Sequence, residues 1–198
     1  MNDLKRINSS DIMVVVDVEA TCSNDGTISR NEMEIIEIGA VKITKKGNII
    51  SKFDAFIKPS KHPKLTEFCK KLTGITQDQI DNAAPFPHAF KNFMDFFKDS
   101  DLLLSWGIFD YQIILKECDR FKVELKKLKL PPEQIFSIPH VNLKEVVKKI
   151  VPNKFSGFKG VMKYYGLKFE GSKHRGIDDA FNIARVYQKM YKRIKTKF

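Results

Sequence analysis

Asp17 and Glu19 stand two residues apart in a run of valines, Met13-Val-Val-Val-Asp-Val-Glu-Ala-Thr-Cys22. Such a β-branched run favours an extended strand, and side chains two apart on a strand share a face. Val14, Val16 and Val18 then anchor one side while Asp17 and Glu19 project together from the other. Adjacent carboxylates repel unless a cation or a shared proton lies between them. Three more residues fit the same task. Asp110 follows Leu102-Leu-Leu-Ser-Trp-Gly-Ile-Phe109, an apolar strand running out into a loop. His174 and Asp179 lie in Gly171-Ser-Lys-His-Arg-Gly-Ile-Asp-Asp-Ala180, where an amphipathic helix begins. His174 would sit in the loop entering that helix and Asp179 in its first turns. Carboxylate oxygens with no cysteine or paired histidine suit Mg²⁺ or Mn²⁺ rather than zinc. Two such ions about 3.5–4 Å apart can activate a water and stabilise the leaving oxygen of a phosphodiester. The His174 imidazole could take the proton from that water near neutral pH.

The elements that must position these groups follow from periodicity. Residues 12–18 read as the first strand. Glu34 to Thr44 and Ile49 to Ile57 read as two more, joined through the hairpin signal Lys45-Lys-Gly-Asn48. A short helix is expected around Leu65 to Leu72, and Thr76 is placed to cap the segment from Gln77. Phe86, Phe90, Phe93 and Phe97 recur at helical spacing between Pro85 and Lys98, which marks a core-facing stripe. A strand at Leu102 to Ser105 leads to a helix from Asp110 to Arg120. Pro131-Pro132 argues for loop across Lys126 to Pro139. Val141 to Leu143 reads as a short strand before a helix from Lys144 to Ile150. Ser156 is placed to cap a helix reaching Tyr165, and the last helix runs from about Gly176 to Arg193. Three meandering strands followed by alternating helices and strands give an α/β pattern with a mixed sheet.

Composition narrows the function classes. At 198 residues, with 42% hydrophobic and 30% charged residues, the chain reads as one ordinary globular domain. No stretch approaches a membrane span and Met1-Asn-Asp-Leu-Lys does not begin a signal peptide, so the expected compartment is the cytoplasm. Cys22, Cys69 and Cys118 lack paired spacing and read as reduced thiols. The net charge of +11 is unevenly placed. Between Asn142 and Arg175, nine Lys or Arg face only Glu145 and Glu170, and a basic end at about 189–198 adds Lys189, Lys192, Arg193, Lys195 and Lys197. Such clusters concentrate and steer polyanions.

With Asp-x-Glu, a mid-chain Asp and His-x4-Asp in that order, the chain resembles the DEDD superfamily of 3′–5′ exonucleases in its His-bearing (DEDDh) branch. Val18-Glu-Ala-Thr-Cys22, Glu34-Ile-Ile-Glu-Ile-Gly39, Phe68-Cys69, Leu72-Thr-Gly-Ile-Thr-Gln-Asp-Gln-Ile-Asp81, Gly176-Ile-Asp-Asp179 and Asn182-Ile-Ala-Arg185 are similar to the Eri-type exoribonucleases. That resemblance implies a ribonuclease H-like exonuclease fold, a five-stranded mixed sheet flanked by helices, with residues 1–198 forming a single exonuclease domain. It implies two Mg²⁺ or Mn²⁺ ions held by Asp17, Glu19, Asp110 and Asp179, with His174 as general base. Asp178 is left a role at the helix N-terminus. The resemblance also implies that Phe68 and Phe109 sandwich the 3′-terminal base, while Ala20, Thr21 and Leu72 or Thr73 hold its ribose. Here Trp106 lies four residues before Asp110, and Phe109 fills the slot where the family often has tryptophan. The implied partner is the single-stranded 3′ end of RNA. DNA trimming and a non-catalytic RNA-binding or adaptor role stay open as alternatives.

Overall fold

The computed structural model describes residues 3–130 and 132–195. Residues 196–198 of the basic end, Lys197 among them, and Pro131 of the expected loop lie outside the described residues. The strands are β1 (Ile12–Ala20), β2 (Ile35–Thr44), β3 (Ile49–Lys58), β4 (Ala84–Pro85), β5 (Leu102–Ser105) and β6 (His140–Asn142). They form a mixed sheet of order β4-β3-β2-β1-β5-β6. β1 runs antiparallel to β2 and parallel to β5. The five expected strands are all present, and the two-residue β4 adds a sixth at the edge beside β3.

Alternation in β1 divides the interior into two cores. Val14, Val16 and Val18 pack with Ile38, Ala40, Leu103 and the Phe86–Phe90–Phe93–Phe97 stripe on one face. Met13 and Val15 pack on the other face with Val41, Ile43, Leu104 and the long C-terminal helix Gly176–Lys195. The phenylalanine stripe belongs to the helix Phe86–Phe97, where Pro87 occupies a first-turn position that needs no intrahelical N–H bond. Burial of each such side chain contributes about 1.5–3 kcal/mol, so the two faces hold β1 rigidly between them.

Two local readings are corrected and one helix is added. Lys122–Lys127 is a short helix that reaches two residues into the segment Lys126 to Pro139 expected as loop, and Pro132–Phe136 is a short helix within that segment. Pro132 opens the second of these, a position that tolerates proline. Asp3–Ser9 is a further helix, seated by buried Ile7 and by Arg6, whose guanidinium donates to the His140 carbonyl at 3.0 Å. Ser156 does stand at the N-cap of the helix Gly157–Tyr164, but its side chain makes no capping bond. Thr76 forms a full capping box with Gln79. Among the described residues no helix is long and apolar enough to cross a membrane.

Candidate active site

β1 turns Asp17 and Glu19 toward the face crossed by the Gly176–Lys195 helix. Close approach of that helix depends on two glycines. A Cβ on Gly39 of β2 would fall 2.0 Å from the Gly176 carbonyl carbon, and one on Gly176 would meet the Asp17 carbonyl oxygen at 3.0 Å. With hydrogen in both places the helix seats directly on the sheet and Asp179, in its first turn, reaches the strand carboxylates. Ligand oxygens of Asp17, Glu19 and Asp179 lie within 4.8 Å of one another. Asp110 enters from the first turn of the helix Phe109–Arg120 at the end of β5. It is 7% exposed, and its Oδ1 accepts from the Val18 N–H at 3.3 Å.

Four acids in one place disturb each other's ionisation. Burial, followed by repulsion from Asp110, Asp179 and Glu19, raises Asp17 well above the usual carboxylate range. Burial and then Asp179 push Glu19 up to about 8. Burial lifts Asp110 to about 6, opposed by the Val18 N–H. Asp179 is also raised, chiefly by burial, while the His174 N–H works the other way. Hard, oxygen-only donors with depressed acidity fit one kind of guest, a divalent cation whose charge replaces the shared protons.

His174 is exposed at the rim and holds a left-handed backbone, φ 59°, between Lys173 and Arg175. Its own N–H donates to Asp179 Oδ2 at 2.7 Å, so the carboxylate that faces the cluster also fixes the histidine's loop. Asp178 turns away from the cluster and accepts from the Ser172 N–H at 2.8 Å, tying down the same loop.

A clamp that the sequence reading did not single out completes this arrangement. Glu37, fully buried on β2 and paired in register with Glu19, receives Arg175 Nε and Nη2 at 3.3 Å and the Gly176 N–H at 3.1 Å. Arg175 also lies 3.7 Å from Asp54 and stacks over the Phe56 ring. Burial nevertheless carries Glu37 up to about 7 against the pull of Arg175. The signal was present in the alternation, since Glu37 shares its parity with Gly39 and Val41 and so points to the Asp17 face.

The candidate substrate residues divide into two groups. Phe109 lines a cleft of 970 Å³ together with Asp17, Glu19, Asp110, His174 and Asp179, and its ring carries the Arg30 guanidinium at 5.0 Å. Phe68 and Leu72 lie outside that lining, on the helix Glu67–Thr73, each 37% exposed. That helix is pinned to the end of β1. Cys69 Sγ donates to the Ala20 carbonyl at 3.7 Å and Thr66 Oγ1 to the Cys22 carbonyl at 2.6 Å. Thr21 is buried, its Oγ1 accepting from the Glu34 N–H at 3.0 Å. Thr73 Oγ1 donates to the Cys69 carbonyl at 2.9 Å. Ala20 is buried in the β1 core, leaving backbone as its means of contact. Cys22, Cys69 and Cys118 are free and buried, and no nucleophile of that type faces the cleft. Trp106 and the helix Gly157–Tyr164 form the cleft's other wall, which sequence periodicity did not connect with the carboxylates.

Comparison with known proteins was consistent across sequence and structure. The family model RNase_T, described as exonuclease, matches residues 14–187. The ERI1 exoribonuclease 2 of Homo sapiens is 31% identical, over 91% of this chain and 28% of that protein. The 3′-5′ exonuclease eri1 of Schizosaccharomyces pombe is 30% identical, over 90% of this chain and 67% of that protein. The nuclease domain of 3′hExo, a DEDDh family member solved bound to rAMP, superposes with a TM-score of 0.77 at 29% identity. That match covers 93% of this chain and 94% of the solved one. The chain thus spans between 28% and 67% of the length of these two curated relatives.

Proposed function

This chain belongs to the exonuclease family, and on that premise we propose that it is a metal-dependent 3′–5′ exoribonuclease releasing nucleoside 5′-monophosphates. One observation carries the proposal: Asp17, Glu19 and Asp179 converge within 4.8 Å on a cleft that Asp110 and His174 also line. Asp17, Glu19, Asp110 and Asp179 are the residues that would hold two Mg²⁺ or Mn²⁺ ions. When bound there, such ions would activate water and stabilise the departing 3′-oxygen of the shortened strand. Burial and mutual repulsion oppose joint ionisation of the four acids, so metal loading and their deprotonation are coupled.

His174, at the cleft rim, takes the proton from the attacking water. Its left-handed loop, tied through Asp179 and the Arg175–Glu37 pair, holds the imidazole on the solvent side, from which the proton can leave. Phe68 and Phe109 grip the terminal base, with Leu72 beside them. Backbone at Ala20–Thr21 and Leu72–Thr73 receives the ribose, where a 2′-hydroxyl separates RNA from DNA. The name of the human relative, ERI1 exoribonuclease 2, supports RNA as substrate, and that of the Schizosaccharomyces pombe relative, 3′-5′ exonuclease eri1, supports the polarity. Residues 1–198 act as one exonuclease domain in this reading, and the buried free thiols suit a cytoplasmic setting.

Chromatography of the products from single-stranded RNA and the matched DNA tests the assignment. Nucleoside 5′-monophosphates released faster from RNA are expected. Products bearing 3′-phosphates would reject the chemistry, and faster release from DNA would reject the substrate.

A further inference from the structure

The cleft has two ends of different chemistry. One holds the carboxylates and His174. The other is walled by the helix Gly157–Tyr164 and the chain that follows it, presenting Phe158, Lys159, Lys163, Lys168 and Phe169, with Lys173 beside His174. Lys159 and Lys163 are four apart on the helix and therefore share a face. Phe158 is braced edge-on against Trp106, ring centroids 4.9 Å apart.

What sets the lysines on this wall apart is their place in the cleft beside the carboxylates. Lys70, Lys91 and Lys148 each reach an acid at 2.5–2.6 Å. Among the described residues Lys159, Lys163, Lys168 and Lys173 form no ion pair at all. They line the same cleft as four carboxylates and stay unpaired, which leaves them free for an external anion.

Strand direction decides which part of a nucleic acid that anion belongs to. The scissile phosphate must lie at the carboxylates, so nucleotides on its two sides depart in opposite directions. Phe68 and Leu72, exposed on the Glu67–Thr73 helix, lie outside the cleft lining, and the function proposed above gives them the terminal nucleotide. The Gly157–Tyr164 wall is then left for the other side.

We propose that this wall is the binding track for the RNA segment 5′ of the scissile bond. Lys159 and Lys163 contact its phosphates, and Phe158 with Phe169 offers apolar surface to a base. The track keeps hold of the shortened strand after each cleavage and makes binding strongly salt-dependent. This inference rests on the exoribonuclease reading for the polarity of the strand.

The test is fluorescence anisotropy of a 5′-fluorescein ten-nucleotide RNA titrated with the full chain across a salt series in EDTA, where no hydrolysis intrudes. The double variant Lys159→Gln/Lys163→Gln is compared with Lys126→Gln/Lys127→Gln, which removes equal charge from the exposed helix Lys122–Lys127. Each single-strand phosphate contact contributes about 0.7 to the slope of log K against log salt, so the cleft pair should flatten it by about 1.4. Relative to a 1 M reference, that corresponds to about twenty-five-fold weaker binding at 0.1 M. The remote pair should keep the original slope. An unaltered slope in the cleft pair, or equal flattening in both, overturns the track. Failure of the unsubstituted protein to hydrolyse RNA with Mn²⁺ would instead reject the catalytic reading and with it the polarity, while the slopes still decide whether this wall holds RNA phosphates.

Discussion

Replacing Glu19 with glutamine should make the metal-free protein more stable at alkaline pH while removing its response to metal. Glutamine keeps the size and hydrogen-bonding edge of a protonated Glu19 but cannot ionise. In the native cluster the Glu19 carboxyl is raised from 4.5 to about 8, first by burial and then by Asp179 and Glu37. Below about pH 4 the folded and unfolded chains both carry the proton, so no difference arises. Between 4.5 and 8 the folded state keeps a proton that the unfolded state gives up, and the unsubstituted protein loses stability as pH rises. Above 8 the loss is complete. At 1.36 kcal/mol for each tenfold change in proton affinity, its upper bound is about 5 kcal/mol. The cleft is open to water and neighbouring carboxyls exchange protons, so about 2 kcal/mol is the expected net effect. For a chain of this size that corresponds to about 4–8 °C in Tm. Thermal denaturation at pH 4 and pH 9 in EDTA, then with Mn²⁺, provides the assay. Glu19→Gln should match the parent at pH 4, exceed it at pH 9, and gain less from Mn²⁺ because a ligand is gone. A variant less stable at pH 9, or shifted equally at both pH values, would refute the electrostatic account of the cluster.

Other substitutions separate the roles assigned to individual groups. His174→Ala should lower kcat by about 10²–10⁴ and leave Mn²⁺ affinity near the parent value, because Asp179 is held by the backbone N–H of residue 174 rather than by the imidazole. Calorimetric Mn²⁺ titration beside steady-state rates checks both halves. Arg175→Gln leaves buried Glu37 without its cation and should cost about 3 kcal/mol of stability, read by urea denaturation. Phe68→Ala should weaken binding of AMP by about 1–3 kcal/mol while leaving Tm nearly unaltered, since the ring is exposed. Unimpaired AMP binding by that variant would remove Phe68 from the base site.

Much of this arrangement was legible in the chain because it rests on short-range periodicity. Alternation in Met13–Cys22 separated Val14, Val16 and Val18 from Asp17 and Glu19, and the structure packs those three valines in one core while Met13 and Val15, of the same parity as the acids, face the other. The Phe86–Phe97 stripe was equally readable, because 3.6-residue spacing leaves one interpretation for four phenylalanines. The Glu37–Arg175 clamp was not legible in this way, since its partners stand 138 residues apart and only the packing of Gly39 against Gly176 brings them together. The helices at Lys122–Lys127 and Pro132–Phe136 are too short for periodicity to register, and tertiary contact through Leu125 and Ile135 stabilises them. The lysine-lined wall was visible only as a charge excess. Its orientation toward the carboxylates is a property of the fold.

The central claim is that the carboxylate cluster cuts RNA from its 3′ end with the help of divalent metal. A gel time course on 5′-labelled single-stranded RNA, with Mn²⁺ or EDTA and beside Asp17→Ala, tests it directly. The account predicts a ladder shortening from the 3′ end with Mn²⁺, absent in EDTA and in the variant. Equal hydrolysis by Asp17→Ala, or release of the labelled 5′ nucleotide first, would contradict it.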